Sequence, residues 1–121
     1  MRNRLDALLA AAVGLGGFFI YARTLAPGVL PADAGEFQLA APLLGVVHPT
    51  GYPLYLLLGK VFTVLVPLGD LAYRMNLLSA VLSALTVAAV YAVGRRLTGR
   101  RAPAALAALT LAFSRTFWSQ A

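Results

Sequence analysis

An uncharged run of twenty residues, 75–94, constrains this chain more than any other feature. About 20 consecutive apolar residues let a helix cross the hydrocarbon core of a bilayer. An earlier run, 5–22, is close to that length and follows Arg2 and Arg4. A cleaved signal peptide has a similar pattern, but its apolar core is usually shorter, which favours an uncleaved first span. Both runs are therefore predicted to be transmembrane helices.

Composition supports an integral membrane protein. The 121 residues are 60% hydrophobic and only 12% charged, whereas soluble domains are about 25% charged. The net charge of +6 could indicate a nucleic-acid partner, but nine of the ten cations are arginines and most lie beside apolar runs. This distribution is typical of membrane topology and excludes a nucleic-acid partner. The absence of cysteine excludes disulfides, thiolate metal sites and a cysteine nucleophile.

The number of spans depends on the apolar segment around Lys60. As a fourth span it would leave about four cations on the cytoplasmic side and five outside, against six inside and four outside with three spans. The segment is only about 15 residues long, which is more typical of an interfacial helix. The positive-inside rule also favours three spans, with a cytoplasmic N-terminus in the cell membrane.

The sequence thus predicts an all-α, multi-pass membrane protein with a long outer loop. The predicted spans are 5–22, 75–94 and 102–118; the predicted loops are 23–74 outside, with interfacial helices near 34–45 and 53–66, and 95–101 in the cytoplasm. A loop of about 50 residues is far longer than usual connections, and such loops commonly carry function.

Two carboxylates in this outer loop are the first candidates for chemistry. Asp33 and Glu36 are three residues apart, so one helical turn places them on the same face. At the membrane boundary a partly desolvated carboxylate can act as a general base on a hydroxyl or hold a divalent cation. The same spacing also fits a capping box, with Asp33 as the N-cap of a helix. The two roles are compatible.

A rigid turn follows these carboxylates and contains the single histidine, His48. Pro49, Gly51 and Pro53 restrict this turn, and a histidine in such a place is more often structural than catalytic. His48 could also contact a phosphate, or complete a cation site with Asp33 and Glu36.

Four further residues of the loop are candidates for substrate binding. Tyr52 and Tyr55 also have a simpler explanation, because tyrosines are enriched at membrane interfaces. Lys60 and Arg74 lie on the outer side of the membrane, where the positive-inside rule disfavours cations. A phosphate at membrane level would need such a cationic partner. Ordinary anchoring to lipid headgroups is the alternative for both.

Several motifs give the chain a more specific resemblance. They are Thr24-Leu25-Ala26-Pro27, Asp33-Ala34-Gly35-Glu36-Phe37, His48-Pro49-Thr50-Gly51-Tyr52-Pro53-Leu54-Tyr55, Arg74-Met75-Asn76-Leu77-Leu78-Ser79-Ala80, the Gly-Arg-Arg-Leu segment from Gly94, and Phe117-Trp118-Ser119-Gln120-Ala121. From about residue 20 onward, the chain resembles the N-terminal part of a GT-C type membrane glycosyltransferase, and more narrowly the protein O-mannosyltransferase-like family. Its bacterial branch is known as a domain of unknown function.

The resemblance implies transfer of a sugar, such as mannose, from a polyprenyl-phosphate donor to an acceptor hydroxyl, with inversion at the anomeric carbon. It implies Asp33 as the general base and Glu36 as a second acid that orients the acceptor or a cation. His48, Lys60 and Arg74 are implied more weakly as contacts of the donor phosphate. In many relatives the two acids are adjacent, so the separation by Ala-Gly leaves open which of them is the base.

Such enzymes have many more spans than three, so the sequence is interpreted as a part of a longer chain that would work with the rest of that chain or with a partner membrane protein. These 121 residues alone are expected to lack transferase activity, and sugar transfer by the purified chain would contradict that expectation. The alternative is a small three-span scaffold or accessory protein without catalysis, which binds a membrane partner through glycine and serine faces.

Overall fold

The computed structural model describes residues 2–121, of which residues 2 and 3 are described by their backbone alone. Within that range the chain is helical and has no strand. The six helices are α1 (Arg2–Arg23), α2 (Ala32–Leu43), α3 (Pro53–Leu65), α4 (Leu71–Thr98), α5 (Arg101–Ala112) and α6 (Arg115–Gln120). The prediction of an all-α membrane protein is confirmed.

Two helices in the described part of the chain are long and apolar enough to cross a membrane. They are Arg4–Arg23, within α1, and α4. Only 17% of the most apolar stretch of the first and 33% of that of the second is buried. Most of their apolar surface therefore faces outward, as it does in a lipid-facing helix and not in the core of a soluble domain. The three-span count stays a prediction.

Helix α4 is longer than the predicted span 75–94 at both ends. Its C-terminal extension includes Arg95 and Arg96, which were expected in a loop at 95–101, because arginine and leucine favour helix. The helix stops before Gly99, whose φ of +67° is readily adopted only by glycine. The connection to α5 is thereby reduced to Gly99 and Arg100.

The predicted third span, 102–118, is not one continuous helix. Helix α5 ends at Ala112, and α6 begins at Arg115. Ser114 separates them because its Oγ accepts a hydrogen bond from the Phe117 N–H at 3.3 Å, which is the geometry of an N-cap. At 12 residues, α5 alone is shorter than the roughly 20 residues of a typical span.

By its internal contacts the chain divides into two units, 1–24 with 79–121, and 25–78. We call these the helical unit and the loop unit, and each is described by itself. In the helical unit, α1 and α4 approach closely at Gly14, where an added Cβ would lie 3.0 Å from the Ala88 Cβ. Such small residues let membrane helices pack backbone to backbone.

Polar contacts tie the ends of the helices in the helical unit. The Tyr21 hydroxyl donates to the Ala112 carbonyl at 2.9 Å. The Asp6 carboxylate accepts from Arg95 Nε at 3.3 Å and from Arg101 Nε at 2.7 Å. One carboxylate thus holds arginines from α4 and α5.

In the loop unit, α2 and α3 pack against each other, and Gly59 makes this possible. A Cβ at Gly59 would lie 2.7 Å from the Ala41 Cβ and 2.9 Å from the Met75 side chain. The helices predicted near 34–45 and 53–66 are therefore present, displaced by one or two residues.

The predicted capping box at the start of α2 is wrong. The helix begins at Ala32, after Pro31, and no side chain caps it. Asp33 lies inside the first turn, where a carboxylate still interacts favourably with the helix dipole. Glu36 does not reach back to the helix start, because its carboxylate bonds to His48.

Candidate functional site

The first two turns of α2 present both predicted carboxylates, and Gly35 lies between them. A Cβ at Gly35 would overlap the carbonyl oxygen of Leu30. The absence of a side chain lets the preceding segment fold back over the helix start. Asp33 is left exposed, and Glu36 is half-buried.

Glu36 and His48 form a doubly hydrogen-bonded pair in the loop unit. The His48 backbone N–H donates to Glu36 Oε1 at 2.8 Å, and His48 Nδ1 lies 2.6 Å from Glu36 Oε2. Both oxygens of the carboxylate are therefore engaged by one residue. This bidentate contact fixes the turn at residues 48–53 beside the start of α2.

The pair shifts the pKa of both partners. The side-chain hydrogen bond from His48, assisted by its backbone N–H, lowers the pKa of Glu36. The same hydrogen bond raises the pKa of His48 above its usual value, and the nearby charge of Asp33 adds a smaller effect in the same direction. Both side chains remain more than a third exposed, so solvent moderates the interaction.

Asp33 differs from Glu36 in having no hydrogen-bond partner within the described part of the chain. One ligand atom from each of Asp33, Glu36 and His48 lies within 4.8 Å of the others. The structure thus brings together the three residues that the sequence suggested for a cation. Two carboxylates and an imidazole are suitable ligands for a divalent metal, although a metal would have to displace the proton shared by Glu36 and His48.

An aromatic cluster borders these three residues. The Phe37 ring centroid lies 5.2 Å from the Tyr52 ring and 5.2 Å from the Tyr55 ring, in both cases edge to face. The His48 ring lies 5.4 Å from Tyr52 and 6.0 Å from Phe37. The structure therefore places the two predicted tyrosines beside the carboxylates, around a phenylalanine that the sequence reasoning did not single out.

A buried hydrogen-bond network supports the segment that leads into Asp33. Gln38 Nε2 donates to Asn76 Oδ1 at 2.6 Å, and Gln38 Oε1 accepts from the Leu30 N–H at 2.9 Å. Asn76 Nδ2 donates to the carbonyls of Ala26 at 2.9 Å and Gly28 at 3.1 Å. Both amide side chains are buried. Neither was predicted as a site residue. An amide side chain in an otherwise apolar segment could have indicated a buried hydrogen bond, because buried polar groups almost always have a partner.

Lys60 and Arg74, the predicted phosphate contacts, bond to helix ends instead. Lys60 Nζ donates to the Pro42 carbonyl in the last turn of α2 at 2.6 Å. Arg74 donates to the carbonyl of Thr63, in the last turn of α3, at 2.8 Å, and to two carbonyls of the following turn. Cations are favourable at helix C-termini, where carbonyls lack helical partners. These contacts give both cations a structural role, and their role as phosphate contacts stays a prediction.

Comparison with known proteins identifies the family. Residues 33–121 match the family model described as the protein O-mannosyl-transferase TMEM260 N-terminal domain. The chain belongs to this family. The match begins at Asp33 and includes every residue of the cluster and of the aromatic group.

Two curated relatives agree with the family match. The chain is 39% identical over 99 residues to the mouse protein O-mannosyl-transferase TMEM260, which covers 82% of this chain and 14% of that protein. It is 35% identical over 74 residues to the Dictyostelium discoideum protein O-mannosyl-transferase tmem260, covering 60% of this chain and 9% of that protein. The chain thus spans a small part of the length of these relatives. No solved structure matches it significantly.

Proposed function

We propose that this chain contributes the acceptor-activating part of a membrane mannosyltransferase. The reaction moves mannose from a polyprenyl-phosphate donor to a hydroxyl of an acceptor, with inversion at the anomeric carbon. The names of the two relatives support the class of reaction. The observation that carries the assignment is an exposed, unbonded Asp33 beside a Glu36 that His48 has fully engaged.

This difference supports Asp33 as the general base. A carboxylate whose oxygens both accept hydrogen bonds is a weaker base, since those bonds stabilise its charged form. Glu36 has such bonds and a lowered pKa. Asp33 is free to accept the proton of an acceptor hydroxyl. As that oxygen bonds to the anomeric carbon, the carbon–oxygen bond to phosphate breaks and polyprenyl phosphate leaves with the electron pair.

His48 is better placed on the acceptor side than at the donor phosphate. In an inverting displacement the attacking and leaving oxygens lie on opposite faces of the sugar; the two carboxyl groups of inverting glycosidases, for example, are about 6.5–9.5 Å apart. A ligand atom of His48 lies within 4.8 Å of one of Asp33. We therefore assign Glu36 and His48 a positioning role and assign Lys60 and Arg74 to the helix ends.

A divalent cation is a second candidate for the same residues, favoured by their mutual distance. It would orient the acceptor hydroxyl and lower its pKa. In that case Asp33, Glu36 and His48 would be its ligands, and chelation would abolish transfer.

The test is Asp33→Asn in the complete gene product that carries this chain, reconstituted in lipid and assayed with polyprenyl-phosphate mannose and acceptor protein. Loss of a general base lowers kcat about 10²- to 10⁴-fold. The thermal midpoint should change little, because Asp33 accepts no hydrogen bond from any residue that the structure describes. Exposed Asp70→Asn, at the start of α4, is a control for removing one carboxylate. Unchanged turnover in Asp33→Asn would overturn the assignment of Asp33 as the general base. Assays with and without a chelator separate the base from the cation.

A further inference from the structure

Tyr52 has an unusual combination of exposure and backbone geometry. Its side chain is 43% exposed, while Phe37 and Tyr55 beside it are half-buried. Its backbone is left-handed, with φ 45° and ψ 50°, directly before Pro53 at the start of α3. A bulky residue in this region is a genuine outlier, and such conformations concentrate at functional sites.

The surrounding rings hold the Tyr52 ring in one orientation. Phe37 lies at 87° to it, with centroids 5.2 Å apart, and His48 lies at 61°, with centroids 5.4 Å apart. Edge-to-face pairs of this kind are favourable because the positive edge of one ring meets the negative face of another. The exposed part of the ring is therefore a rigid surface rather than a mobile side chain.

This surface lies beside the carboxylates that carry the proposed chemistry. His48 contacts Tyr52 on one side and Glu36 on the other. A hexose has an apolar face of C–H groups and a rim of hydroxyls. The C–H face packs against an aromatic ring, and the hydroxyls bond to nearby carboxylate and imidazole groups. Binding sites for small molecules commonly combine an aromatic wall with a few polar groups in this way.

We propose that the exposed ring of Tyr52 is the surface on which the hexose of the donor stacks during transfer. This inference rests on the proposed function and adds a role in holding the transferred sugar. Tyr52 binds the sugar and takes no part in proton transfer. Its hydroxyl is not required, but its ring is.

The experiment measures binding rather than turnover. The complete gene product in lipid nanodiscs is titrated with a short-chain isoprenyl-phosphate mannose and with the same isoprenyl phosphate without sugar. The native protein should bind the mannosylated probe more tightly. In Tyr52→Leu the ratio of the affinity for the mannosylated probe to that for the sugar-free probe should fall about threefold to tenfold. The affinity for the sugar-free probe should not change. Tyr52→Phe should restore the preference, and Tyr73→Leu, which removes a tyrosine elsewhere, is the matched control.

A footprinting measurement on the native protein tests the same inference without depending on whether the variant folds. The mannosylated probe should protect Tyr52 from nitration several-fold, and the sugar-free probe should not. Equal affinity for both probes, or protection by both, would overturn the inference. A Tyr52→Leu enzyme with a raised KM for acceptor and an unchanged KM for donor would also overturn it. If the protein preferred the mannosylated probe but had no transfer activity, the proposed function would be overturned. The inference that a sugar stacks on Tyr52 would still hold.

Discussion

The helical unit and the loop unit use polar residues in opposite ways. In the helical unit, polar contacts such as Tyr21 to the Ala112 carbonyl join helices that already pack through small residues. In the loop unit, Gln38 and Asn76 are buried amides that hold irregular backbone without helical partners. The loop unit therefore depends on specific hydrogen bonds, whereas the helical unit depends on close contact between helices.

The largest effect on stability should come from Asn76→Ala. This change leaves a buried donor of Gln38 and the part-buried Ala26 carbonyl without their partner, and each such group costs about 1–3 kcal/mol. We expect a loss of about 3 kcal/mol in the free energy of unfolding, measured by denaturant titration in detergent.

The matched control is Thr86→Ala in the same helix. Thr86 donates only to the Leu82 carbonyl of its own helix and is exposed, so its loss should cost less than about 0.5 kcal/mol. If the two variants lose the same stability, the contrast between the units fails.

A smaller effect is expected at the glycines of α1. A Cβ at Gly14 would lie 3.0 Å from the Ala88 Cβ and 3.2 Å from the Ala84 carbonyl oxygen, whereas a Cβ at Gly16 would meet nothing within 4 Å. Gly14→Ala should therefore lower the free energy of unfolding by about 1 kcal/mol through overpacking. Gly16→Ala should not lower it, because alanine favours helix more than glycine. Equal losses would show that close helix contact does not stabilise this unit.

The smallest expected effect is the change in the stability of the loop unit with pH. The pKa of Glu36 is lowered from 4.5, so its contribution to stability is present above pH 4.5 and is lost as the pH falls through the folded value. The pKa of His48 is raised from 6.5, so its contribution is complete below pH 6.5 and is lost as the pH rises through the folded value. The loop unit should be most stable between these two values.

Because the chain has a single histidine, NMR can follow this titration directly. The pKa of His48 should exceed 6.5 in the native protein and fall towards it in Glu36→Gln. Asp33→Asn should lower it less, since the charge of Asp33 is the smaller cause. The reverse order would mean that Asp33, not Glu36, is the partner of His48.

Regular features of the molecule could be predicted from the sequence. The uncharged runs gave α1 and the body of α4, and Pro53 marked the start of α3, because these signals are local. The break at Ser114 was missed although serine is a common N-cap, because the helix of the preceding apolar run was expected to continue to residue 118. The sequence also selected Asp33, Glu36 and His48 correctly as neighbours, from residue type and proximity along the chain.

The separate roles of the residues within that site could not be predicted. Capping and ion pairing compete for the same carboxylate, and only the fold decides that Glu36 bonds to His48, twelve residues away. Lys60 and Arg74 suggested phosphate because the positive-inside rule disfavours cations on the outer side, and the fold shows that both also bond to carbonyls at helix ends. Such long-range contacts leave no periodic trace in the sequence.

Gly35 has a consequence for how this motif can vary among natural sequences. The Leu30 carbonyl occupies the place of its side chain, whereas the neighbouring Ala34 is exposed. Mutational scanning should therefore find position 34 open to many residues and position 35 closed to all but glycine. The glycine of Asp-x-Gly-Glu is thus a steric requirement of this turn.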